Sequence, residues 1–258
     1  MGKKAMVEPV LQGSHAGDQP ATPGRAAPMV DNSVNYTIVR RWLWWSIVWM
    51  TIFPLVGLLV SIKFNFPDFL GGIAWLTFGR LRPVHVNGVI FGAFSTPVIG
   101  LLYYVVPRLC GRRMALEALG PWLLWAWNIF LLSGSISLLM GYNLGFEAGE
   151  YEWPFNLLRW IILSLIGTQV LITIFRRKEP GLYVALWYAM AGLVWTSMNL
   201  ILGGAMLPYV PMSGISNTAL HGLYIHYVVG LWITPAGLTL MYFFLPKIVS
   251  FFLVLALY

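Results

Sequence analysis

Six stretches of this chain are each apolar over about the 20 residues that a bilayer's hydrocarbon layer demands of a helix. They run approximately over 42–62, 83–107, 121–142, 155–175, 182–207 and 222–246. No other feature constrains the fold as tightly, because backbone polar groups in lipid must be satisfied internally and only helices or closed barrels do so. The stretches are continuous rather than alternating, so six spanning helices in an all-α membrane protein are expected. A further run, "IVSFFLVLALY" (248–258), is about half a span long and reads as the start of a seventh helix. Residues 1–35 are rich in Gly, Pro and Ala with scattered charge, and read as a disordered polar tail that carries His15. No apolar core follows the early lysines closely enough for a signal peptide. The membrane-embedded domain is therefore expected over 36–258.

The loops between the stretches set the orientation. With the N-terminus inside, 12 of the 16 Lys and Arg residues fall on the inner side, and only Lys63, Arg80, Arg82 and Arg159 on or near the outer one. This bias predicts a cytoplasmic N-terminus in a multi-pass protein. The formal charge of +7 is thus accounted for by topology, and nucleic acid is not expected as a partner. A single cysteine, Cys110, excludes an internal disulfide, a Cys-rich zinc site and the thiolate set of an iron–sulfur cluster. A transition metal held by this chain would need histidine.

Besides Tyr and Cys, the ionisable side chains in or at the edges of the spans are His85, Arg159, His221 and His226. Charge and polarity are costly at that depth, which makes each a functional candidate. Each also has a plainer reading. A histidine at a span edge can anchor at headgroup level, which suits His221 best, and Arg159, one turn into its span, can snorkel outward. His85 and His226 open the second and sixth helices from the same outer side, so two imidazoles at similar depth could serve one redox centre, haem iron or copper. A helix beginning at Pro83 would leave Arg82 at the outer interface beside His85, suited to an anion such as a carboxylate. The acidic outer stretch "GFEAGEYEWP" (145–154) could hold a hard cation such as calcium through oxygen ligands, or could simply be solvated.

The motifs "WLTFGRLRPVHVNGVIFGAF" (75–94), "YYVVPRLCGR" (103–112), "EYEWP" (150–154), "LYVALWYAMAGLVWT" (182–196) and "HGLYIHYVVGLWITPAGLTLMYFFLPK" (221–247) resemble the N-terminal half of the catalytic subunit of C-type (cbb-type) haem-copper oxidases. The resemblance spans residues 36–247. It implies membership of a twelve-helix bundle that takes electrons from c-type cytochrome subunits and reduces oxygen to water, coupled to proton translocation, in a prokaryotic inner (plasma) membrane. It further implies that His85 is an axial ligand of a low-spin haem b, that Arg82 lies by the haem propionates and that His226 is one ligand of the copper, CuB, which faces a high-spin haem. Glu147 would help to hold calcium, and Thr234 and Tyr242 would line a proton path. His221 matches no ligand of the family.

The family's remaining haem and copper ligands lie in its second half, which these residues do not include. The resemblance therefore implies a truncated product, a fragment or one piece of a split subunit, inactive without a second chain that carries the missing helices. The related nitric oxide reductases, which place glutamates near a non-haem iron, are the nearest alternative. The sixth helix here holds no glutamate, which favours copper and oxygen. A haem-b scaffold without catalysis and a proton-relay transporter without haem are further alternatives.

Overall fold

The computed structural model describes residues 32–256, so the expected tail and His15 fall almost wholly outside the described part. Regular structure among the described residues is entirely helical. Six helices are long and apolar enough to cross a membrane: α1 (Tyr36–Asn65), α2 (Phe78–Cys110), α3 (Glu117–Met140), α4 (Trp153–Phe175), α5 (Val184–Gly204) and α6 (Gly214–Ser250). The chain is an integral membrane protein by this count.

The helices overrun the apolar stretches where polar residues are good helix starters. α1 begins ahead of its apolar run because Asn35 caps it, Oδ1 accepting the N–H groups of Thr37 (3.1 Å) and Ile38 (3.3 Å). α2 begins at Phe78, not at Pro83, so Arg82 lies inside the helix rather than ahead of it. Pro83 has no N–H to give the Gly79 carbonyl, a loss tolerated because Gly79 is exposed. α6 begins at Gly214, which places His221 two turns into the helix. The run from residue 248, expected to open a seventh helix, instead continues α6 to Ala256. After Lys247 it contains neither glycine nor proline to end a helix.

Three spans change to π-helix part way along: Gly88–Phe94 in α2, Leu200–Met206 at the end of α5 and Val228–Ile233 in α6. A π turn disturbs the regular ladder, and lipid offers no water to repair it. Side chains do so. The Ser95 hydroxyl donates to the Ile90 carbonyl (2.7 Å) and accepts Trp232 Nε1 from α6 (2.8 Å). From α5, the Thr196 hydroxyl donates to the Leu231 carbonyl (3.0 Å) and Asn199 Nδ2 to the Tyr224 carbonyl (3.2 Å). The irregular segments are thus where α2, α5 and α6 are bonded together.

α1 lies close on α2 because α2 presents small residues to it. A Cβ added at Gly88 would stand 2.0 Å from Phe53 Cδ1, and one at Gly92 2.3 Å from Phe53 Cε2. The Phe53 ring, stacked on Trp49 at 5.1 Å, fills the space that these two glycines leave. Close backbone approach through small residues is how helices associate where lipid is as apolar as leucine.

Candidate functional site

His85 stands on α2 one turn before the π segment, with its ring against α1. Its Nδ1 lies 2.9 Å from the Phe53 carbonyl oxygen. A carbonyl only accepts, so Nδ1 carries the proton and Nε2 keeps a free lone pair. That is the tautomer and the support typical of a metal-ligating imidazole. Gly57 makes room for it: a Cβ there would stand 2.3 Å from His85 Cε1 and 2.6 Å from Nδ1. Neither Phe53 nor Gly57 stands out in the sequence, since each is an ordinary member of an apolar run.

Arg82 and Glu147, expected to meet different ligands, meet each other. Arg82 Nη2 lies 2.7 Å from both carboxylate oxygens, and both side chains are about half exposed. The buried carboxylate of the acidic stretch is Glu150, only 2% exposed. Its Oε2 accepts Asn87 Nδ2 (2.6 Å), and Asn87 in turn donates to the Pro83 carbonyl (2.9 Å), so Glu150 is tied to the helix of His85. Glu150 Oε1 and Asn87 Oδ1 are buried without a partner among the described residues. Burial pushes the Glu150 carboxyl up from its ordinary value, against the pull of the Asn87 amide.

Arg159 does not snorkel. Its side chain is fully buried, with Nη1 on the Ala148 carbonyl (3.3 Å) and Nη2 on Asn156 Oδ1 (2.8 Å) and the Tyr224 hydroxyl (3.1 Å). The guanidinium also lies over the Phe91 ring at 4.2 Å. The outer loop, α4 and α6 supply acceptors to both terminal nitrogens, which an outward-pointing chain would forgo. The Tyr224 hydroxyl donates its own hydrogen bond to Ala148 O (3.0 Å), closing the network.

His226, two residues after Tyr224, is exposed on α6. Its ring lies 6.1 Å from that of Tyr227, and its Nε2 3.8 Å from where a Gly230 Cβ would be. Among the described residues no group of three or more His, Cys, Asp or Glu side chains is gathered as a metal site. His221 packs its ring on Phe146 at 4.0 Å, half-buried, rather than reaching outward alone. Thr234 and Tyr242 are exposed on α6, the Tyr242 ring stacked on Tyr188 at 5.5 Å.

The chain that carries this geometry, one prepared imidazole and a second on an open helix face, is similar to known proteins. A family model described as Cytochrome C and Quinol oxidase polypeptide I matches residues 37–253. The cytochrome c oxidase subunit 1 homolog of Agrobacterium tumefaciens is 31% identical over 236 residues, 88% of this chain and 43% of the relative. The bacteroid cytochrome c oxidase subunit 1 homolog of Bradyrhizobium diazoefficiens is 33% identical over 205 residues, 75% of this chain and 37% of the relative. The Cbb3-type cytochrome c oxidase subunit CcoN1 of Stutzerimonas stutzeri is 27% identical over 219 residues, 83% of this chain and 46% of that subunit. The chain spans less than half the length of each of these relatives.

Proposed function

Because the chain belongs to the cytochrome c and quinol oxidase polypeptide I family, we propose that it forms the first part of the catalytic subunit of a cbb-type terminal oxidase. In this reading it works with c-type cytochrome subunits, and with a chain supplying the remaining helices, in a prokaryotic inner membrane. Electrons from a cytochrome c reduce oxygen to water, with protons drawn from the cytoplasmic side.

The observation that carries this reading is His85. An imidazole with Nδ1 committed to Phe53 O, Nε2 free and a glycine clearing its ring fits an axial haem ligand. Haem b, when bound, supplies the one-electron iron couple. The chain's own share is to hold the Nδ1 proton, fix the ring's orientation and keep the ligand inside a helix pair. Arg82 would face the propionates, and Glu147 calcium, only once the ion pair between them opens. An exposed pair of this kind is worth up to about 1 kcal/mol, so the opening is readily offset.

For copper the described residues would supply His226 alone, one ligand of a set that other residues must complete. Thr234 and Tyr242 would hand protons along α6 at their hydroxyls. Eight residues of helix separate them by about 12 Å, so water or another group must stand between.

The decisive experiment is His85→Ala in the assembled enzyme. The low-spin haem b absorption is expected to disappear; its persistence would overturn the ligand assignment.

A further inference from the structure

The loop between α2 and α3 and the end of α4 enclose a cavity of about 590 Å3, away from the histidines. Arg112, Arg113, Arg176 and Lys178 line it together with apolar residues that include Leu116 and Ile172, and among the described residues no carboxylate lines it. Loop charge alone asks only that cations lie on this side of the membrane. It does not ask that four converge on one concavity, where their mutual repulsion is unfavourable unless an anion is present. Arg113 has a partial answer in Glu117 at 3.5 Å. Arg112 donates Nη1 to the Arg176 carbonyl (2.5 Å), but its Nε is buried without a partner.

The cavity wall is built rather than loose. Ala115 N–H donates to Thr173 Oγ1 (2.8 Å), and Gln169 Nε2 donates to the carbonyls of Ala115 (3.2 Å) and Leu116 (2.8 Å). Gln169 Oε1 accepts the Tyr103 hydroxyl (2.6 Å), and Gln169 and Thr173 are fully buried. The loop is thus fastened to α4 from below. Leu116 is held at φ +52°, a left-handed conformation that costs a residue with a Cβ about 1–2 kcal/mol. Its side chain lines the cavity and is itself exposed.

We propose that this cavity binds the phosphate headgroup of an anionic phospholipid, whose acyl chains leave past Leu116 into the bilayer. The site lies where two spans end, at headgroup level. Its cations suit a phosphate, with the arginines able to engage two oxygens at once. Its apolar wall suits a lipid over a free ion.

The test is native mass spectrometry of the detergent-extracted complex, reloaded from vesicles of phosphatidylglycerol and phosphatidylcholine. The wild type is expected to retain phosphatidylglycerol through detergent washing and to lose phosphatidylcholine. Arg176→Gln with Lys178→Gln, both exposed side chains, should lower retention about fivefold for each charge removed. Arg40→Gln with Arg41→Gln, an exposed basic pair that does not line the cavity, should leave it unchanged. Equal retention by the cavity variant overturns the proposal. So does an equal loss in the control pair, which makes the effect one of bulk charge, or release of the lipid by millimolar inorganic phosphate, which makes the site one for the free ion. An unchanged unfolding midpoint in the cavity variant separates lost binding from lost folding.

Discussion

His85 and His226 occupy the same local setting and differ in everything around it. Each ends a regular helical segment, and a π segment follows within three residues. His85 has a second helix against it, a carbonyl on one ring nitrogen and a glycine cut away for its ring. His226 is exposed, and its ring nitrogens have no hydrogen-bond partner among the described residues. The π turn therefore does not by itself orient an imidazole. Orientation and tautomer come from a neighbouring element, which α1 provides for one histidine while the face of α6 that bears the other lies open.

The largest effect that could break this contrast is at the open histidine. His226→Ala in the assembled enzyme is expected to abolish copper binding and oxygen turnover while the low-spin haem b spectrum persists. Normal copper content by elemental analysis would show that His226 does not hold the metal, and loss of both signals together would show that the two histidines do not act separately.

Gly57→Ala probes the prepared side. The new methyl would overlap the His85 ring at 2.3 Å, so the imidazole must turn or α1 must move away. Haem b content is expected to fall severalfold, or its band to shift, whereas Gly79→Ala, with open space around the new Cβ, should change neither. A normal haem spectrum in Gly57→Ala would mean that Gly57 clearance is not needed.

Tyr224→Phe tests how far the outer half of α6 depends on the buried arginine. It removes one bond from Arg159 and one to Ala148 O, a loss of about 1–3 kcal/mol. The unfolding midpoint should drop, with the haem b band retained, since Phe53 and Gly57 lie on α1. A midpoint equal to the wild type would show the network to be dispensable.

Much of this arrangement was legible in the chain and some of it was not, for definite reasons. Hydropathy locates all six spans because lipid imposes length on each. It misplaces their starts because Asn35 caps α1 ahead of its apolar run, and α6 opens with a turn that includes Ser216, Asn217 and Thr218, which hydropathy discounts. The π segments leave no mark, since apolar residues surround them on every side. His85 is visible from its motif, but its tautomer is not, because the Phe53 carbonyl that sets it is 32 residues away. Arg159 misleads for a related reason. Near a span end it looks free to reach water, and only convergence of Ala148, Asn156 and Tyr224 reveals the buried alternative.

The smallest expected effect concerns Glu150, which links the His85 helix to the outer loop. Its carboxyl sits above the ordinary value of 4.5, chiefly through burial. The folded state then holds a proton that the unfolded chain has already released over the interval above 4.5. Stability should fall as pH rises from about 4.5 through the raised native value, because there the folded protein binds more protons than the unfolded one. Glu150→Gln keeps the shape and cannot titrate, so this slope should vanish in the variant. The check is the unfolding midpoint of both proteins across that interval, with divalent cations chelated so that no bound ion pulls the carboxyl back down. Identical slopes would mean that Glu150 stays ionised in the fold, and that the unpartnered Oε1 is met by a charge or by water instead of by its own proton.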